Sequence, residues 1–96
     1  MIEIRKTGNF AKWIDGLNDI RARARILVRI ERLASGNPGD VKAVGEGVSE
    51  LRIDYGPGYR VYYIQRGQKI IILLAGGDKR TQSKDIKTAQ RLAQNL

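Results

Sequence analysis

Three strand-like runs separated by two short turns occupy residues 48–75, and this arrangement limits the possible folds more than any other feature. Val48–Ile53 and residues 59–65 alternate between apolar and polar positions, as half-buried strands do. Ile70–Ala75 is apolar throughout, which is typical of a central strand covered on both faces. The connections GPGY and RGQK have the glycine and proline placement of tight turns. The segment therefore predicts an antiparallel meander of three strands.

A short first strand and two helices are predicted before the meander. Ile2–Arg5 alternates and is interpreted as an edge strand. Thr7 or Asn9 can cap a first helix that ends near Leu17. Asp19 can cap a second helix, and the short link between the two helices predicts an αα-hairpin.

The second helix is expected to end at Ser35-Gly36, because Asn-Pro-Gly follows. Its predicted core face consists of Ile20, Ala24, Leu27, Ile30 and Ala34, with Ile26 and Leu33 beside it. Residues 36–47 are interpreted as a glycine-rich loop. Gly76-Gly77 is expected to end the last strand, and a final helix begins near Thr81–Ser83.

The resulting fold class is α+β in the order β-α-α-β-β-β-α. An antiparallel sheet carries the helix hairpin on one face, its other face is partly open, and a C-terminal helix follows. We find no linker or repeat and expect one domain over residues 1–96.

Charge and missing residue types restrict the function. Eighteen Lys and Arg against ten Asp and Glu give a formal charge of +8, which favours a polyanionic partner such as RNA or DNA. The sequence contains no cysteine and no histidine, which excludes thiolate chemistry and the commonest acid, base and metal ligand. The carboxylates are scattered, so we expect no metal and no cofactor. We also expect a cytoplasmic protein without a membrane span.

The alternation of the meander predicts a basic surface. Because Leu51 and Ile53 belong to the helix-covered face, Glu50 and Arg52 belong to the opposite one. Residues that should share this open surface are Arg52, Arg60, Tyr62, Lys79 and Arg80. Arginine suits phosphate and tyrosine can stack on a base. The alternatives are that Arg60 forms a surface ion pair with Glu50 or Asp54 across the turn, and that the cations after the last strand only face solvent.

A second basic feature lies on the second helix. Four arginines recur at spacings of four, four and three, and so form one stripe: Arg21, Arg25, Arg29 and Arg32. The stripe is either a solvated face or a docking surface for an acidic partner, and the sequence favours neither.

The stretch ELRIDYGPGYRVYYI, followed by an apolar strand and GGDKRTQSKDIKTA, resembles the RelE/ParE superfamily of toxins from type II toxin–antitoxin pairs. The resemblance is greatest to the phage-derived addiction-module killer proteins near HigB, and it covers essentially the whole chain. It implies a ribosome-dependent mRNA endoribonuclease that works without a metal. It further implies three partners: a helix-turn-helix antitoxin, the ribosome with its mRNA, and operator DNA reached only through the antitoxin. The antitoxin is expected either to cover the basic cleft or to dock on the arginine stripe of the second helix.

The resemblance also assigns roles to residues. Arg60 matches the strand arginine that holds the phosphate, Arg52 a basic residue on the preceding strand, and Lys79 and Arg80 the basic pair after the last strand. Glu50 departs from the pattern, because RelE-like members have a lysine there. The C-terminal helix has lysines in place of the family's tyrosine, and the predicted RNA-binding set is Arg52, Glu50, Lys84 and Lys87.

Without histidine, only Lys, Arg, Tyr or a carboxylate can move protons in RNA cleavage. Arg60 and Arg80 are therefore expected to stabilise charge, and Lys79 or Tyr62 to transfer a proton, with Glu50 as a third choice. Two other functions are open: inhibition of DNA gyrase, as in ParE, and non-catalytic binding of nucleic acid.

Overall fold

The computed structural model describes residues 2–96. Five strands and three α-helices follow one another as β1 (Glu3–Lys6), α1 (Gly8–Asp15), α2 (Ile20–Ala34), β2 (Val41–Ala43), β3 (Ser49–Ile53), β4 (Tyr59–Arg66), β5 (Ile70–Asp78) and α3 (Gln82–Gln94), with a 3₁₀ turn at Lys79–Thr81 before α3. The α+β class predicted from the sequence is confirmed.

The strands form a single sheet in the order β1-β5-β4-β3-β2. The predicted meander of β3, β4 and β5 is antiparallel, whereas β1 runs parallel to β5. Two predictions about strand limits are wrong. Residues 36–47 contain β2, which pairs with β3, and β5 continues through Gly76-Gly77 to Asp78.

Hydrophobic clusters occupy both faces of the sheet. On one face, α1 and α2 supply residues such as Phe10 and Ile26, which pack with Val61 and Tyr63. On the other face, α3 supplies Ala89, whose partners include Val48, Tyr62, Ile64 and Leu74. The expectation that this second face is partly open is therefore wrong over its centre, where α3 covers it.

The buried face of α2 differs from the predicted one. Ile30 and Ala34 are buried as expected, but Ile20, Ala24 and Leu27 are exposed. The centre of the buried stripe consists of Ala22, Ile26 and Leu33. The predicted stripe followed the spacing that starts at Ile20 and left out Ala22, whereas the helix is rotated so that the stripe through Ala22 and Ile26 packs in the core.

Local signals at the helix ends are confirmed. Thr7 caps α1 by accepting a hydrogen bond from the Phe10 N–H at 3.1 Å. Asp19 caps α2 by accepting from the N–H groups of Arg21 and Ala22. In the β3–β4 turn, Gly58 adopts a φ of 81°, a conformation that favours glycine.

Of the helices in the described chain, none combines the length and the apolar composition that a membrane span requires.

Candidate nucleic-acid interface

The pairing of β3 with β4 brings two arginines together. Arg52 lies directly opposite Arg60 in the antiparallel register, two positions from the pair formed by Glu50 and Tyr62. Arg60 is also aligned with Gly77 of β5, so the residues that follow β5 lie near the same end of β4. The register of the meander thus gathers residues that are far apart in sequence.

Arg52, Arg60 and Lys79 line an open cleft of about 400 Å³. The β3–β4 turn forms one wall, and the other lining residues are Asp40, Ile53, Asp54, Gly56, Pro57 and Gly58. Three cations against two carboxylates give the lining a positive balance, which suits a phosphate-bearing ligand. The structure therefore unites three of the predicted site residues.

Glu50 lies beneath this cleft and is fully buried. Its carboxylate accepts hydrogen bonds from Nε of Arg52 at 3.0 Å, from the Tyr62 hydroxyl at 3.0 Å and from Nε2 of Gln82 at 2.9 Å. Nε of Arg60 is 3.9 Å from Oε1. Burial raises the pKa of Glu50. The hydrogen bonds and the Arg60 charge together lower it by more, so the pKa lies below its usual value. Glu50 is thus a buried, charged counter-ion.

Tyr62 occupies a different position from the one expected. Its side chain is completely buried among the residues under α3, rather than exposed on a basic surface. Burial and the adjacent Glu50 raise the pKa of Tyr62, so the phenol stays neutral and donates to that carboxylate. A ring in this position has no access to a base or to a ribose hydroxyl. The prediction that Tyr62 faces an open surface is wrong, because α3 covers it.

Lys79 and Arg80 lie in the 3₁₀ turn that follows β5. Lys79 is exposed and lies against the β3–β4 turn. A Cβ added to Gly58 would be 3.5 Å from the Cβ of Lys79. Arg80 forms an ion pair with Asp78, with Nη2 2.9 Å from Oδ2, and its side chain is 80% exposed. The Arg80 side-chain hydrogen bond holds the pKa of Asp78 below its usual value. Of the two cations, Lys79 alone is part of the cleft lining.

Lys84 and Lys87 are both exposed on α3. They lie outside the cleft lining formed by the described residues. They extend the positive surface along α3, and their predicted role in RNA binding stays a prediction.

The predicted arginine stripe on α2 divides into two roles. Arg29 donates to the carbonyl oxygens of Arg52, Pro38 and Asp40, the last two at 2.9 and 3.3 Å. It therefore secures the β2–β3 region to α2. The other three arginines, Arg21, Arg25 and Arg32, are exposed. Cζ of Arg25 lies 4.7 Å from the centre of the Tyr55 ring. Val28, an exposed apolar residue, lines the same surface hollow as Arg25 and Arg32.

Gln82 was not among the predicted site residues, yet it hydrogen-bonds to Glu50 from the first turn of α3. The only sequence signal for it is its place in the GGDKRTQ element that follows the apolar strand. Asp40 and Asp54, which line the cleft, were also missed, because nothing in the spacing of isolated acidic residues marks them.

Comparison with known proteins places the chain in a family. The family model described as phage derived protein Gp49-like (DUF891) matches residues 12–95. An uncharacterized protein of Haemophilus influenzae is 53% identical over 95 residues, which cover 99% of this chain and 96% of that protein. The solution structure of the conserved hypothetical protein HP0894 from Helicobacter pylori superposes with a TM-score of 0.57 at 21% identity, over 83% of this chain and 97% of that one.

The fold and cleft are those of a small basic α+β protein. Because HP0894 is only 21% identical to this chain, the likeness supports the fold alone. The match over residues 12–95 shows that the chain belongs to the Gp49-like family of phage-derived proteins.

Proposed function

We propose that this protein is the toxin of a type II toxin–antitoxin pair, similar to the RelE/ParE superfamily, and that it cleaves mRNA on the ribosome in the cytoplasm. The observation that supports this most is the cleft in which Arg52, Arg60 and Lys79 meet above the buried Glu50. Family membership and the fold are compatible with the proposal.

The chemistry that such a cleft can support is transesterification. The 2′-oxygen of a ribose attacks the adjacent phosphorus, the P–O5′ bond breaks, and a 2′,3′-cyclic phosphate and a free 5′-hydroxyl result. Arg60 and Arg52 stabilise the charge that develops on the phosphorane oxygens. The Lys79 ammonium gives its proton to the leaving 5′-oxygen. Tyr62 is not assigned a proton transfer, because it is buried and already donates to Glu50.

The proton of the 2′-hydroxyl needs a base. Asp40 and Asp54 line the cleft, and their carboxylates are the groups of its lining that can accept this proton. They are weak bases, so the reaction depends on accurate placement of the RNA. Such dependence explains why a ribosome would be required to hold the substrate.

The proposed protein partner is an antitoxin with acidic segments. The exposed side of α2 presents Arg25 and Arg32 beside Val28, with Arg21 in the same stripe, a combination that suits an acidic amphipathic segment. Arg29 lines the same hollow, but its guanidinium already donates to backbone carbonyls, so it is not assigned to the partner. Operator DNA would be contacted through the antitoxin.

The test is cleavage of a translated mRNA in a reconstituted translation system, compared with the same RNA free in solution. We expect cuts within codons of the translated RNA and slow cleavage of free RNA. Arg60→Ala should lower the rate by about 10²- to 10³-fold, as loss of a charge-stabilising donor does. Arg66→Ala is the matched control, since Arg66 is an exposed arginine of the same strand and is outside the cleft.

Other outcomes would contradict the proposal. Equal rates on free and translated RNA would remove the role of the ribosome. Inhibition of gyrase supercoiling without mRNA cuts would indicate a ParE-like function. Absence of any growth effect on induction would favour a non-catalytic nucleic-acid-binding protein.

A further inference from the structure

The environment of Glu50 is unusual for a residue whose only role is stability. A buried carboxylate loses its hydration, and replacing buried ion pairs by apolar residues of similar size is often neutral or stabilising. Glu50 is nevertheless fully buried and surrounded by four side chains with hydrogen-bond donors. The arrangement of these donors indicates what the carboxylate does.

The two oxygens of Glu50 have separate sets of partners. Oε2 accepts from the Tyr62 hydroxyl and from Nε2 of Gln82, which ties the carboxylate to β4 and to α3. Oε1 is directed at the two cleft arginines, at 3.0 Å from Nε of Arg52 and 3.9 Å from Nε of Arg60. One oxygen is therefore anchored by the protein interior, and the other is directed toward the cleft.

The contacts with the arginines leave donors free. Arg52 is held through Nε, so this bond does not consume its terminal nitrogens. Arg60 is almost buried, with 13% of its side chain exposed, and its Nε has no hydrogen-bond partner among residues 2–96. Both guanidinium groups are thus drawn toward one carboxylate while donors remain for a phosphate.

We propose, on the basis of the proposed function, that Glu50 is a positioning residue that orients Arg52 and Arg60 for the scissile phosphate. Tyr62 and Gln82 fix the carboxylate, and the carboxylate fixes the arginines. The seating of α3 on the sheet is thereby linked to the geometry of the cleft through Gln82.

This role makes a prediction in which binding and catalysis change in opposite directions. The Glu50 charge repels an RNA phosphate, so its removal makes the cleft more positive and should strengthen binding. The same removal releases the arginines, and misplacement of charge-stabilising groups slows the chemical step. A residue that acts only on folding would instead lower binding and catalysis together.

The experiment uses the complete chain with Glu50→Gln, and Glu31→Gln as the control for the change in net charge, since Glu31 is exposed on α2. Affinity is measured with an oligonucleotide that carries a 2′-deoxy substitution and cannot be cleaved, and kcat and KM are measured on translated mRNA. For E50Q we expect kcat to fall by about 100-fold with affinity equal to or tighter than wild type. E31Q should match the wild type in kcat.

Gln82→Ala provides a second variant in case E50Q does not fold. It removes one anchor of Oε2 and keeps the Glu50 charge, so we expect a smaller fall in kcat with unchanged affinity. An unchanged kcat in both E50Q and Q82A would overturn the proposal. Parallel loss of binding and kcat, in proportion to the unfolded fraction, would also overturn it.

A readout independent of cleavage separates this inference from the proposed function. Hydrogen exchange of the arginine Nε–H groups is followed by NMR in the free protein. Slow exchange at Arg52 and Arg60 in the wild type and E31Q, with faster exchange in E50Q or Q82A, supports the positioning role even if no RNA is cut. Equal exchange in all four proteins overturns it.

Discussion

The hydroxyl of Tyr62 donates a hydrogen bond to Oε2 of Glu50 at 3.0 Å, and both side chains are completely buried. The tyrosine that the sequence placed on an open surface is therefore part of the floor under the cleft. Tyr62 therefore acts by fixing the Glu50 carboxylate rather than by contacting a ligand.

Tyr62→Phe tests this reassignment. Removing the hydroxyl takes one donor from an ionised carboxylate, so we expect the free energy of unfolding to fall by about 1.5–3 kcal/mol. The rate of RNA cleavage should fall by less than the 10²- to 10⁴-fold that loss of a proton-transfer group causes, about tenfold at most. Urea unfolding and cleavage of translated mRNA measure the two effects. A fall in rate of 10²-fold or more in folded protein would restore Tyr62 as a catalytic residue.

The titration of Glu50 predicts acid sensitivity. The pKa of Glu50 in the folded protein lies below its usual value of 4.5, so its ionised form stabilises the fold above that pH. This contribution should be lost as the pH falls through the lower, folded-state pKa. We expect the free energy of unfolding of the wild type to decrease below about pH 4.5, and that of Glu50→Gln to decrease less. Asp78 titrates in the same direction in both proteins, so the difference between the two urea-unfolding curves reports Glu50.

Tyrosine titration gives a matching prediction at alkaline pH. Burial raises the pKa of Tyr59, Tyr62 and Tyr63, so ionisation of these phenols opposes folding. Their contribution to stability is present below the unfolded pKa of about 10 and is lost above it. The ultraviolet absorbance of tyrosinate should therefore rise together with the loss of circular dichroism. Full ionisation of all four tyrosines in protein that is still folded would contradict the burial.

Gly76 and Gly77 in β5 should be intolerant of alanine. A Cβ on Gly76 would overlap the Trp13 ring, and one on Gly77 would overlap the Asp85 carboxylate on the opposite face. Each substitution should lower the free energy of unfolding by about 1–3 kcal/mol or more. Gly8→Ala is the control, because a Cβ there meets no atom within 4 Å. Thermal unfolding of the three variants measures the effect, and equal midpoints would show that β5 can move away from both neighbours.

Arg29 and Arg32 should differ although both belong to the predicted stripe. Arg29→Ala leaves the carbonyls of Arg52 and Pro38 without their donor and should cost about 1–3 kcal/mol of folding free energy. Arg32→Ala removes an exposed side chain and should change stability by less than about 0.5 kcal/mol. If α2 is the antitoxin surface, Arg32→Ala should instead weaken the complex, most clearly at low salt. Titration calorimetry and urea unfolding separate the two effects, and equal stability of both variants would contradict the role of Arg29.

Much of the architecture was predictable because its signals are local. The caps at Thr7 and Asp19, the positive φ of Gly58 and the alternation in β3 and β4 depend on neighbouring residues only. The same alternation correctly divided β4, with Tyr59, Val61 and Tyr63 on one face and Tyr62 and Ile64 on the other. It also placed Arg52 and Arg60 on the same face, and the observed register sets them directly opposite each other.

Other features depended on contacts between distant segments. β2 is three residues long, too short for periodicity to show, and it exists because β3 offers an unpaired edge. β5 continues through two glycines because both pair with residues of β4, and their missing side chains leave room for Trp13 and Asp85. The rotation of α2 about its own axis depended on which apolar residues pack in the core, and Leu27 and Val28 remain exposed.

The sequence by itself determined the elements other than β2, the meander and the set of cations from which the cleft is built, because hydrogen-bond periodicity, turn geometry and charge are properties of short segments. Only the tertiary structure decided what those residues do. Docking of α3 on the second face of the sheet buried Tyr62 and Glu50 and brought Gln82 to the Glu50 carboxylate. Tyr62 and Glu50, which were expected on an open surface, thereby form the floor of the cleft. Which face a helix covers depends on packing summed over the whole molecule, and no stretch of the chain contains that information alone.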